Sequence, residues 1–110
     1  MLELTERQMR VVERLFEAGY RPIAIPRYES SICMRKGDCA AMFAPVENGG
    51  LRMVAPVSFL VNGNFGVRLK RKGGDVFVWK KDELAATVER LSEVERVREE
   101  LAGILEVVVV

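Results

Sequence analysis

ICMRKGDCAAMFAPVENGGLRMVAPVSFLVNGNFGVRLKRKGGDVFVWKK, residues 32–81, is the stretch that decides the fold of this 110-residue chain. Turn signals divide it at Lys36-Gly37-Asp38, Glu47-Asn48-Gly49-Gly50, Asn62-Gly63-Asn64 and Lys72-Gly73-Gly74-Asp75. Between them lie five runs rich in β-branched, aromatic and methionine residues, the signature of strands joined by hairpins. The expected sheet is an antiparallel meander of about five strands. Pro45 and Pro56 cannot donate to a ladder, so they belong at edges or bulges.

Register can be argued at the third turn. Leu51, Met53, Ala55, Val57, Phe59 and Val61 alternate onto one face. A three-residue loop at Asn62 to Asn64 would pair Phe59 with Val67 and Val57 with Leu69. A two-residue loop would set Phe59 opposite Gly66 and Val57 opposite Arg68, placing an apolar side chain against a charge. The longer loop, with a bulge, is the expectation.

Helices flank the strands. Thr5 is placed to cap the first, Gln8 to return the reciprocal bond, and Leu4 and Met9 to form a hydrophobic staple. Its expected apolar face is Met9, Val12, Leu15 and Phe16, and Gly19 followed by Tyr20 and Pro22 marks its end. Arg21 to Tyr28, holding Pro22 and Pro26, reads as an extended edge or crossing segment. From Asp82 onward Leu84, Thr87, Leu91, Val94, Leu101 and Leu105 share a helical face, with Asp82 as a candidate cap and the weakest helical signal at Ala86-Thr87. The fold class expected is α+β: an N-terminal helix, the meander, and a long C-terminal helix packed on the sheet. Because strands in the hairpin at residues 65–81 are apolar on both faces, the simplest cover is one helix on each side.

The length and 49% apolar content suit a single domain spanning residues 1–110. No charged-then-apolar leader and no apolar run of membrane length is present, so the expectation is a cytoplasmic protein without a membrane partner. Histidine is absent, which removes the commonest general base and the usual nucleophile pairings. With no histidine to join Cys33 and Cys39, a zinc site would need at least two carboxylate ligands. A tight Gly37-Asp38 turn would send the two side chains to opposite faces and a loop one residue longer would set them diagonally on one, so buried thiols rather than a disulfide are expected. No catalytic constellation, cofactor or metal ligand set is expected.

Charge is the one hint of partners. Residues 31–81 carry nine basic and three acidic side chains, whereas residues 82–110 carry three basic and eight acidic. If Gly73-Gly74 is a two-residue loop, Lys70 pairs with Phe77 and Arg68 with Trp79, so cations and aromatics share one face while Val67, Leu69, Val76 and Val78 share the other. Arg68, Lys70, Lys72, Phe77 and Trp79 are therefore the candidate face for single-stranded nucleic acid, RNA above all, or for another partner. Against it stands the ordinary alternative, Phe77 and Trp79 in the core with the cationic stems over their rings. On the last helix Glu89, Glu93, Arg96 and Glu100 form a charged stripe expected to face away from the core. The apolar surface of that helix outruns a small sheet, which makes Val97, Leu101, Ile104, Leu105 and Val108 candidates for self-association into a homodimer; the alternative is packing against the first helix. The function expected is a non-enzymatic protein-interaction module that self-associates, with single-stranded nucleic-acid binding as the second possibility.

Overall fold

The structure, a computed structural model, describes residues 3–109, with side chains described through Leu105. Its elements make it an α+β protein: α1 (Glu6–Glu17), nine strands, and α2 (Val88–Val109). All five expected runs form strands, but two of them break, and the second break, at Gly66, divides the meander into two sheets.

The larger sheet holds β1 (Arg21–Pro22), β2 (Ile32–Lys36), β3 (Cys39–Pro45), β4 (Leu51–Met53), β5 (Ser58–Val61) and β6 (Asn64–Phe65). Its order is β1-β2-β3-β5-β6, with β4 also paired to β3. The third run breaks around Pro56, which has no amide to donate. Phe43 pairs with Met53 above the break, and Cys39 with Phe59 below it. The pairing slips by an even number, so the pleat keeps its parity. Leu51, Met53, Val57, Phe59 and Val61 all reach the main core, and Ala55 alone turns to the other side.

The expected register at Asn62 to Asn64 is incorrect. Leu60 pairs with Phe65 and Val61 with Asn64, across a two-residue turn whose Asn62 and Gly63 have φ of 50° and 77°, as primed hairpin turns require. Gly66 N–H donates to the Phe59 carbonyl at 3.1 Å. The mismatch feared for this register, Val57 against Arg68, never arises because pairing with β5 stops at Gly66. Beyond it, β7 (Val67–Arg71), β8 (Gly74–Trp79) and β9 (Asp82–Ala85) form a separate three-stranded sheet in that order. Gly66 is the joint: a Cβ there would lie 2.8 Å from the Phe59 oxygen and 2.9 Å from Val61 Cγ2.

α1 carries the full capping box, with Thr5 N–H donating to Gln8 Oε1 at 2.9 Å and Gln8 N–H to Thr5 Oγ1 at 3.1 Å. It stops at Gly19 (φ 99°), where Tyr20 N–H reaches the Leu15 carbonyl and Gly19 N–H the Phe16 carbonyl, the two bonds of a Schellman end. The buried face is turned from the expected one. Gln8, Val11, Val12 and Leu15 are buried, while Met9 and Phe16 are exposed. The cause is a tether to the turn between β3 and β4: Gln8 Nε2 donates to the Val46 carbonyl at 3.1 Å and Arg7 Nη1 to the Asn48 carbonyl at 3.2 Å.

At the other end, residues 82–85 are the strand β9 rather than the first turn of a helix. Leu84 stands opposite Phe77 and joins the main core from a strand. α2 starts after Thr87, whose Oγ1 accepts from Arg90 N–H at 3.2 Å. It runs 22 residues, about 33 Å, and is not long and apolar enough to cross a membrane.

Both helices share one core, with Val11 and Leu15 of α1 and Val97 and Leu101 of α2 set against Met34, Phe43, Phe59 and Phe77. The expectation of one helix on each side is therefore corrected. The far face of the larger sheet is closed instead by the chain after β1, whose Ile25 packs on Cys33, Ala40, Met42 and Phe65. Nothing among the described residues performs that service for the smaller sheet.

Candidate functional site

The β7–β8 hairpin turns at Lys72-Gly73, so Arg68 pairs with Phe77, Lys70 with Asp75 and Arg71 with Gly74. This lies two residues from the expected register, and an even shift preserves the faces. Arg68, Lys70, Phe77 and Trp79 do share a side, with Lys72 exposed in the turn. That side is the inner one. Phe77 is 1% exposed and stacked on Phe59 with ring centroids 5.4 Å apart; Trp79 is half-buried against the main core with the Lys80 ammonium 5.6 Å from its ring centre. A base has no free Phe77 ring on which to stack. Arg68 is held by Asp75 at 2.7 Å, while Lys70, Lys72, Lys80 and Lys81 are exposed.

The outer side of the same sheet is aliphatic. Val67 stands opposite Val78 and Leu69 opposite Val76, and Ala85 of β9 stands beside Val76. Val67 is 55% and Leu69 39% exposed, and none of these four larger side chains belongs to either core. Arg71 and Glu83 join at 2.8 Å, an ion pair that by register crosses the face diagonally near Val76. The edges differ in sign: β7 and its turn carry Arg68, Lys70, Arg71 and Lys72, and β9 carries Asp82 and Glu83.

The residues expected to drive self-association lie elsewhere. Val97 and Leu101 are buried in the main core of their own chain, and Ile104 and Leu105 pack against it; the Val108 side chain falls outside the described residues. α2 packs beside α1. The charged stripe of α2 is also turned toward the sheet at its far end, contrary to expectation. Glu100 meets Lys36 of β2 at 2.8 Å, and with Glu93, Arg96, Gly37 and Cys39 they line a pocket of about 350 Å³. The stripe slides over the β2–β3 turn because Leu101 beside it is drawn fully into the core. The Lys36 ammonium holds the Glu100 carboxylate below its ordinary range, with the Tyr20 hydroxyl adding to the effect. Burial first, and Glu100 second, push the Tyr20 hydroxyl upward. Cys39 is pushed up to about 11 by burial, then by Glu93 and Asp38, and burial alone raises Cys33. The two thiols face opposite sides of the hairpin, as Cys33 pairs with Met42 while Cys39 pairs with Lys36. Deprotonation is unfavourable at both, so neither has the thiolate character of a nucleophile. Among the described residues no group of histidine, cysteine and carboxylate side chains is arranged to hold a metal.

A larger cleft, about 770 Å³, opens where the two sheets part at Gly66. Its walls combine Met42, Val57, Phe65, Phe77 and Val94 with the polar side chains of Tyr28, Ser31, Ser58, Arg68, Glu95 and Arg98. Tyr28 and Val54 leave apolar surface exposed on it. Ser58 is 5% exposed, and its hydroxyl has no hydrogen-bond partner, an omission that costs about 1–3 kcal/mol in a protein interior. Sequence reasoning missed this site because its residues come from separated segments that only the break at Gly66 brings together. One signal was present: Ser58 follows the Pro56 break and alternates away from the Val57–Phe59 face, a hydroxyl on an otherwise apolar strand. No protein-family model matches the chain, and comparison with curated proteins and with solved structures finds no match either.

Proposed function

We propose that this chain is a non-enzymatic interaction module that self-associates through the outer face of β7–β9, with the C-terminal helix serving its own core. The observation that carries this is the open aliphatic row, Val67 at 55% and Leu69 at 39% exposure beside Val76 and Val78. Four aliphatic side chains gathered on one side of a sheet, rather than scattered singly, form a small patch that a partner could cover. A second copy is the occupant the face itself favours, since a twofold contact sets the same aliphatic patch against itself and is self-complementary. Three strands of four to six residues offer a face of roughly 17 by 10 Å. That is well below the ~800 Å² per partner of a stable complex, so the association is weak and depends strongly on concentration.

Sedimentation velocity over a wide concentration range tests this. The wild type should gain mass with concentration, Leu69→Lys should remain monomeric, and a chain lacking residues 106–110 should behave as wild type. A wild type that stays monomeric at every concentration sinks the proposal, and Leu69→Lys associating normally sinks the surface. The four exposed lysines around the hairpin favour a second reading, contact with nucleic-acid phosphates. It requires salt-sensitive retention of single-stranded RNA with quenching of Trp79 fluorescence, and it fails if neither occurs at low salt.

A further inference from the structure

Independently of self-association, we infer that the cleft between the two sheets is a binding site for a small amphiphile, an apolar chain or ring system ending in a carboxylate. Its volume of about 770 Å³ falls within the ~300–1,000 Å³ range of small-molecule sites, and the combination of an apolar wall with a few polar groups is the usual composition. Met42, Val57, Phe65, Phe77 and Val94 supply the wall, drawn from both sheets and α2.

The polar groups specify the end of the ligand. Ser58 brings a hydroxyl that is shut off from solvent and has no partner; turned about its Cα–Cβ bond toward the cleft that the residue lines, it would serve an acceptor there. Arg68 gives its Nε and Nη2 edge to Asp75, and Arg98 gives the same edge to Glu95. Each guanidinium therefore has its Nη1 donors still to place, and a planar fork readily serves a second carboxylate. Uncommitted groups at this cleft are thus predominantly donors. They suit an acceptor-bearing, anionic end better than a cationic one, which would meet two guanidinium charges and only hydroxyl oxygens or a carboxylate already shared with Arg98. Asp75 and Glu95 offset part of the arginines' charge, so selectivity comes from hydrogen bonding more than from net charge.

Ser58→Ala separates function from folding. It removes a hydroxyl that makes no hydrogen bond in the free protein, so it should leave the melting temperature unchanged or raise it, a pattern typical of a residue kept for binding. The test is a titration of ¹⁵N-labelled full chain with sodium decanoate, with decyltrimethylammonium as the cationic control, both below their micellar range. Decanoate should give saturable amide shifts at Ser31, Met42, Ser58 and Gly66. Ser58→Ala should weaken it roughly tenfold or more, the effect of losing a hydrogen bond to a charged group, and Arg98→Gln should weaken it in the same sense. No saturable shifts with decanoate, equal binding of the cation, or undiminished binding by Ser58→Ala would each overturn the inference. Shifts at Leu69 and Val76 alone would overturn it too, since they assign the amphiphile to the outer face of β7–β9.

Discussion

Gly66→Ala places a single methyl group at the joint between the sheets, and its effect follows from the geometry there. The new Cβ would sit 2.8 Å from the Phe59 carbonyl oxygen, 2.9 Å from Val61 Cγ2 and 3.2 Å from Phe77 Cβ. The first of these atoms is backbone, fixed by the hydrogen bond that Gly66 itself donates to it, and Phe77 is pinned by its stack on Phe59. Relief requires the sheets to move apart. Overpacking costs about 1–3 kcal/mol, and against a backbone atom the upper part of that range, about 2–3 kcal/mol, applies, while the lower conformational entropy of alanine in the unfolded chain returns only about 0.4–1 kcal/mol. A net loss of about 1–2.5 kcal/mol translates into a fall in Tm of roughly 5–20 °C for a domain of this size. Gly73→Ala is the matched control, since nothing lies within 4 Å of its Cβ position and its φ is not in the left-handed region; it should be neutral or raise Tm by a few degrees. Thermal unfolding followed by circular dichroism reads both. A Gly66→Ala protein melting within about 2 °C of wild type would refute the close joint on which the two-sheet description depends.

Other consequences are as concrete. Phe77→Ala should destabilise the chain by about 3–5 kcal/mol, measured by urea unfolding, whereas a surface ring for nucleic acid would cost little. Neither thiol should react rapidly with a disulfide reagent in the native protein at mildly alkaline pH, and both should react after denaturation; fast stoichiometric labelling of native Cys39 would contradict its burial at 1% exposure and its pKa of about 11. For Glu100 the folded pKa lies below the unfolded one, so its pairing with Lys36 contributes at pH values above the ordinary 4.5 and is lost as pH falls through the folded value. Because both partners are more than a third exposed, Glu100→Gln should cost under about 1 kcal/mol at neutral pH. The Tm gap to wild type should close in acid, and a gap that persists there would count against the assignment.

The sequence makes some of these features plain and conceals others for identifiable reasons. Thr5, Gln8 and Gly19 announce α1 because capping depends on neighbours within a few residues, and Gly37-Asp38 sets the opposite facing of Cys33 and Cys39 for the same local reason. Pairing partners are not local. At Gly66 the chain changes sheets, and only the absence of a side chain hints that another backbone passes there. Leu84 satisfies a helical stripe as well as a strand opposite Phe77, and the tertiary contact wins. The helix faces illustrate the same limit: Met9 and Phe16 look as buriable as Val11, but the tether from Gln8 to Val46 rotates α1. The cleft was the least legible feature, being made of side chains from β3, the Pro56 break, the hairpin and α2, which no periodicity links.

The central functional claim, that the outer face of β7–β9 is a contact surface, is tested most directly by a dilution series of ¹⁵N amide spectra of the full chain. The account predicts concentration-dependent shifts at Val67, Leu69, Val76 and Val78, abolished by Leu69→Lys, with Val97 and Leu101 unmoved. Shifts centred on Val97, Leu101 and Ile104, or none at any concentration, would contradict it.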